Sequence, residues 1–181
     1  MKSKIRRINI FGGPGIGKST IATYVFSELK QKGYSVEYIP EFIKKWTYIP
    51  IIPKGFDGVF CSITQTRDED IVLRGETEFI VTDSPIFLQY FYDNYHNAPG
   101  AEGFLSIAKE LEKMYPSLNI LLERNDKFYQ ELGRYEKLPE AKEIDKKVEE
   151  MLNSLSVSFK KFQSEKIKDI MIYIEQEINA K

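Results

Sequence analysis

The run Gly12-Gly13-Pro14-Gly15-Ile16-Gly17-Lys18-Ser19 constrains this chain more than any other stretch. It fits the pattern glycine, any four residues, glycine, lysine, then serine or threonine, in which backbone N–H groups close around phosphate oxygens. Side chains at the glycine positions would restrict the backbone or block the phosphate's approach. The flanking residues agree. Ile8 to Phe11, with Ile5 upstream, is a short apolar run suited to a buried strand. Beyond Lys18, Ile21, Val25 and Leu29, with Ala22 and Phe26 beside them, recur at helical spacing until Gly33 supplies a left-handed stop. Strand, glycine loop and helix predict a P-loop. Its residues Gly12, Gly13, Pro14, Gly15, Ile16, Gly17, Lys18, Ser19 and Thr20 are expected to hold the phosphates of ATP or GTP at the positive end of a helix. Lys18 is expected to reach the β- and γ-phosphates, and the Ser19 hydroxyl to bind Mg²⁺.

The remaining elements alternate. Tyr34 to Ile39 predicts a second strand closed by Pro40, which puts Glu41 at its carboxyl end, beside the P-loop strand. Tyr48 to Gly58, rich in proline and aromatic residues, reads as a long loop, and Val59 to Leu73 as a helix. Phe79 to Thr82 is a third strand, bounded by Asp83-Ser84-Pro85, with a helix expected after Pro85. Phe104, Ile107, Ala108 and Leu111 share a helical face that ends at Pro116, and Leu118 to Leu122 follows as a fourth strand. Ala141, Ile144, Val148 and Leu155 mark another helix, Ser156 to Phe159 a fifth strand, and Ile167 to Ile178 a last amphipathic helix. Such alternation predicts an α/β three-layer sandwich: a central parallel sheet of about five strands, helices on both faces, and a ligand beyond the carboxyl ends of the strands. The loops at Gly12, Glu41, Asp83 and Arg124 should then share one rim. Arg124 to Lys137, charged and aperiodic, is expected to be a short lid.

At 181 residues, 1–181 is expected to form one domain. A net charge of -1 gives no overall positive field to attract nucleic acid or an anionic membrane. With Cys61 as the single cysteine, neither an intramolecular disulfide nor a cysteine zinc cluster can form, and a cytoplasmic setting is expected. No segment approaches the ~20 apolar residues of a membrane helix. The apolar run after the basic start is too short for a signal peptide, so the mature protein is expected to begin near Met1. His96 stands without a second metal ligand in view and is assigned no role.

The chemistry follows from the strand ends. Asp83 should hold Mg²⁺ with Ser19, directly or through water. Guanine recognition has no support, because Arg124-Asn125-Asp126-Lys127 carries the required residue types in the wrong order. ATPases that split water usually follow the strand-end acid with a glutamate, whereas Ser84 and Pro85 follow Asp83 here. An acceptor hydroxyl fits better than water and needs a carboxylate to take its proton. Glu41 is the candidate. Lys18, Glu41, Asp83 and Arg134 form the expected catalytic set. Arg124 and Arg134 are expected on the ATP phosphates, since a guanidinium fork binds phosphate oxygens at two points and stays charged. Tyr48 and Phe56 are candidates for an aromatic wall around a base.

Glu41 followed by Trp46 resembles the deoxynucleoside kinases, which implies a catalytic base and an aromatic side chain packed against substrate. The third strand departs from their acid-arginine-serine pattern. Over nearly the whole chain the sequence resembles small phage-encoded P-loop proteins related to the ribosylnicotinamide kinase domain. The shared landmarks are the glycine loop, Glu41, Thr82-Asp83-Ser84-Pro85, Leu122-Glu123-Arg124, Gly133-Arg134 and an Ala141-x-x-Ile144-Asp145 helix. The resemblance implies an ATP- and Mg²⁺-dependent kinase acting on a hydroxyl of a nucleoside-like acceptor, small molecule or modified base, with hydroxymethyluracil in phage DNA as one version. It also implies substrate-binding roles for Gln65 and Arg67 beside Glu41, Trp46 and Tyr48, and a host-cytoplasmic location if the protein is phage-encoded. Two alternatives are a nucleoside monophosphate kinase, for which Arg67 and Arg74 are the acceptor-side arginines, and a regulator that binds and slowly hydrolyses ATP.

Overall fold

The computed structural model describes residues 5–49, 52–125 and 135–180. Five strands, β1 (Arg7–Phe11), β2 (Val36–Ile39), β3 (Phe79–Thr82), β4 (Ser117–Glu123) and β5 (Lys160–Gln163), form one parallel sheet in the order β2-β3-β1-β4-β5. Between and after them run α1 (Lys18–Gln31), α2 (Asp57–Arg74), α3 (Ile86–Tyr95), α4 (Ala101–Met114), α5 (Leu138–Ser154) and α6 (Ile167–Asn179). This is the expected three-layer α/β sandwich.

Each central strand is buried on both faces, so its side chains alternate between two cores. Ile8, Ile10, Phe79, Val81, Leu118, Ile120 and Leu122 pack with Ile21, Val25 and Leu29 of α1 and with Ile170 and Ile174 of α6. Phe11, Ile80 and Leu121 face the opposite core, which α2 to α5 cover with residues including Leu73, Phe87, Phe104 and Ile144. That second core also contains an ion cluster. Arg7 of β1, fully buried, meets Glu69 of α2 at 3.5 Å and pairs with Glu112 of α4, while its Nε donates to the Tyr115 carbonyl at 2.9 Å. The cluster ties two helices to the first strand at the end of the sheet remote from the glycine loop.

Several expectations need correction. β2 does not neighbour the P-loop strand; β3 lies between them, with Ile39 in register with Thr82, so Glu41 reaches the rim from beyond Asp83. The fifth strand is not Ser156 to Phe159 but Lys160–Gln163. Ser156 takes a positive φ of 55°, which turns the chain before pairing begins, and Ile120 then pairs with Lys160. The expected loop from Tyr48 to Gly58 is shorter. A 3-10 helix, Phe42–Tyr48, takes up its start, and α2 begins at Asp57, whose carboxylate accepts from the Lys54 N–H at 2.9 Å. Among the described residues no helix is long and apolar enough to cross a membrane.

Candidate active site

The glycine loop leaves β1 at Gly12 and enters α1 at Lys18. Gly12, Gly15 and Gly17 have φ values of 146°, 68° and 103°, a left-handed region that favours glycine. A Cβ on Gly12 would also come within 2.8 Å of the Ile16 side chain. Gly17, at the start of α1, offers no side-chain cap, and the N-terminus of a helix is in general a place where anions bind. Lys18 Nζ donates to the Gly13 carbonyl at 2.9 Å, folded back over the loop. Ser19 and Thr20 are exposed on the first turn.

Asp83 follows β3 directly and is 3% exposed. Its Oδ1 accepts the backbone N–H of Glu41 at 3.2 Å, which brings the ends of β2 and β3 together. The Tyr38 phenol is pushed above its ordinary range, first by burial and then by the charge of Asp83 and a hydrogen bond to it, with Glu41 adding to the effect. Tyr38 was absent from the sequence expectations. Its alternation within β2 points it toward α1, and the reach of its hydroxyl to a neighbouring strand end is a tertiary property.

Gln65, for which substrate contact was expected, is 2% exposed. Its Oε1 accepts the Phe42 N–H at 3.0 Å and its Nε2 donates to the Ser84 carbonyl at 2.7 Å. It therefore links α2 to the backbone on both sides of the Glu41–Asp83 pair. Arg67, two residues on, is exposed on α2. Arg74 sits at the opposite end of α2, paired with Asp70 at 2.9 Å. Trp46 is half-buried in the 3-10 helix, while Tyr48 and Phe56 are 63% and 69% exposed.

Arg124, expected on ATP phosphates, donates to the Pro14 carbonyl at 2.7 Å and to both oxygens of Asp145. Asp145 also accepts the Gly13 N–H at 2.8 Å. From the sequence, this carboxylate has only a place in a motif. The Tyr92 phenol of α3 is raised well above its ordinary range by burial, then by the charges of Glu136, Glu41 and Asp145, with Arg124 opposing them. Arg134 and most of the expected lid lie outside the described residues. A cleft of about 790 Å³ lies elsewhere, at the amino ends of β4 and β5 between Ser117, Leu155 and Lys160.

Among the described residues no three His, Cys, Asp or Glu side chains cluster as a metal cage. One strand-end carboxylate and one helix-start hydroxyl suit Mg²⁺, which keeps waters and takes phosphate oxygens instead of a full protein shell.

No curated protein matches the sequence. Among solved structures, the chain is similar to a cysteine-to-alanine mutant of the Mycobacterium tuberculosis APS kinase CysC, at 10% identity and a TM-score of 0.51, covering 98% of this chain and 99% of that one. At that identity the likeness is one of fold. A family model described as an AAA domain matches residues 7–169, which takes in the glycine loop, both strand-end acids and α5, and the chain belongs to that family of P-loop proteins.

Proposed function

We propose that this protein is an ATP- and Mg²⁺-dependent kinase that transfers the γ-phosphoryl group to a hydroxyl of a nucleoside-like acceptor. The observation that carries the reading is the pairing of Glu41 with Asp83 at adjoining strand ends on the P-loop rim. A kinase needs a carboxylate for the acceptor proton and a separate carboxylate on the metal side, and the backbone N–H of the first residue is tied to the carboxylate of the second. In this reading Lys18 offsets charge on the transferring group, and Glu41 orients and deprotonates the acceptor hydroxyl. Ser19 and Asp83 would hold Mg²⁺, which supplies charge neutralisation on the phosphates when bound. Arg134 keeps its role as catalytic arginine on the strength of the sequence. The finer kinship with ribosylnicotinamide and deoxynucleoside kinases rests on the motifs, and the fold shared with an APS kinase is consistent with it.

Trp46 and Tyr48, on the 3-10 helix that follows Glu41, would line the acceptor side. A monophosphate acceptor is disfavoured, since Arg74 is tied to Asp70 at the far end of α2 and Arg67 is turned to solvent. The deciding experiment is transfer of label from γ-labelled ATP to a panel of nucleosides, nucleoside monophosphates and hydroxymethylated duplex DNA, with Glu41→Gln protein in parallel. Acceptor-dependent transfer that disappears with Glu41→Gln supports the reading, and unchanged transfer removes Glu41 from it.

The family's AAA description favours a second reading, an ATP-hydrolysing regulator. ATP turnover that no acceptor stimulates would select it over the kinase.

A further inference from the structure

Two peptide groups of the P-loop are held from outside the loop. The Gly13 N–H donates to Asp145 Oδ1 at 2.8 Å, and the Pro14 carbonyl accepts from Arg124 Nη2 at 2.7 Å. The two outer groups also hold each other. Arg124 donates from Nε to Asp145 Oδ2 at 2.5 Å and from Nη2 to Asp145 Oδ1 at 3.0 Å, a two-pronged pair with more directional strength than neutral hydrogen bonds. The Arg124 side chain is 5% exposed, so salt and water screen the pair little.

Gly13 is shaped to this contact. A Cβ there would lie 2.4 Å from Asp145 Oδ1 and 3.0 Å from the Ala141 carbonyl, so the absence of a side chain is what lets α5 approach the loop. The same residue accepts Lys18 Nζ on its carbonyl. One glycine thus joins the Asp145 carboxylate to the lysine that defines the motif. An ion pair with a purely architectural purpose would bind helix to strand. This one ends on consecutive residues of the phosphate cradle, whose peptide orientation decides where the phosphate-binding N–H groups point.

We propose that Asp145 is a positioning residue for the nucleotide: through the Gly13 N–H and through Arg124 it sets the orientation of the P-loop peptides and the resting place of Lys18. The proposal rests on the reading of the loop as an ATP site and is independent of the acceptor.

The test measures affinity for a fluorescent ATP analogue, together with thermal melting, for Asp145→Asn, Asp145→Glu and Arg124→Gln proteins and for the Asp145→Asn/Arg124→Gln double variant. Misplacement of the cradle predicts affinity lower by roughly ten- to a hundredfold for Asp145→Asn, and partial recovery with Asp145→Glu. The double variant should bind about as well as the weaker single one, because both substitutions break one unit. Lower melting temperature with unchanged affinity would reduce Asp145 to a structural strut and overturn the proposal. Tighter binding by Asp145→Asn with weaker binding by Arg124→Gln would overturn it too, by making Arg124 a direct phosphate ligand that Asp145 restrains. If the wild-type protein binds no analogue, the ATP-site reading itself fails; loss of acceptor transfer alone, with the affinity pattern intact, leaves Asp145 in place and sinks only the kinase.

Discussion

The main-chain N–H of Glu41 donates to Asp83 Oδ1 at 3.2 Å, so the proposed base is joined to the proposed metal ligand by its backbone and not by its side chain. Substituting the Glu41 side chain therefore leaves the Asp83 contact in place. Glu41→Gln should lower acceptor phosphorylation by roughly 10²- to 10⁴-fold, the range general-base catalysis contributes, while ATP-analogue affinity stays within about twofold. Steady-state transfer and equilibrium binding on the same preparation check this, and a parallel loss of both would mean that the carboxylate serves the fold.

Tyr38 presents the next opportunity to separate the two roles. Burial and then the charge of Asp83 push its phenol up, while its ring packs near Phe26 with centroids 6.3 Å apart, so Tyr38→Phe removes the hydroxyl that senses this carboxylate and keeps the packing. The carboxylate then loses part of its orientation. The Mg²⁺ concentration that half-saturates activity should rise by about three- to tenfold, the equivalent of one ordinary net hydrogen bond. A metal titration at saturating ATP reads this, and an unchanged midpoint would show that Asp83 is oriented without Tyr38.

Gln65 should behave as a positioning residue. Gln65→Leu keeps the volume but takes from the Phe42 N–H its Gln65 acceptor, a cost of about 1 to 3 kcal/mol for a buried donor, while the Ser84 carbonyl loses one of two donors and keeps the Gln89 amide at 2.8 Å. The expected outcome is a lower melting temperature with a higher KM for the acceptor and little change in KM for ATP, because the P-loop is untouched. A rise confined to KM for ATP would contradict this assignment.

Burial pushes the Glu69 carboxyl up to about 7, against the opposing pull of Arg7 and with a further push from Glu112. A carboxyl with a folded pKa above its unfolded value binds more protons when folded, so its contribution to stability falls as pH rises from the unfolded pKa, about 4.5, through 7. Arg7 already has Glu112 as a partner, which makes the second carboxylate the costly one. Relative to wild type, Glu69→Gln should gain on the order of 1 to 3 kcal/mol between pH 5 and pH 8. Urea unfolding at both values measures the difference, and a wild-type advantage at pH 8 would show that the ionised pair is net stabilising.

The readable and unreadable parts of the molecule divide along physical lines. The glycine loop and the third strand, Phe79–Thr82, were legible because backbone geometry and two-sided burial leave few residue choices. The strand Lys160–Gln163 was not: its side chains are mostly solvated, and pairing with β4, not hydrophobicity, makes it a strand. Strand order was hidden as well, since no residue of Val36–Ile39 states that β3 is its neighbour. At the site, the residues on the loop and strand ends could be nominated from type and spacing. Tyr38, Asp145 and the buried role of Gln65 could not, because each acts through a partner far away in the chain, as Asp145 does through Gly13.

The sheet order sets how the two halves of the site can change over evolutionary time. β1 lies between β3 and β4, so the nucleotide half is anchored in the middle of the sheet, where an altered backbone would disturb pairing on both sides. Glu41 and the 3-10 helix after it hang from the outermost strand, paired along a single border. Insertions and exchanges there leave the phosphate machinery standing, which makes this margin the place where one donor chemistry can be fitted to new recipients.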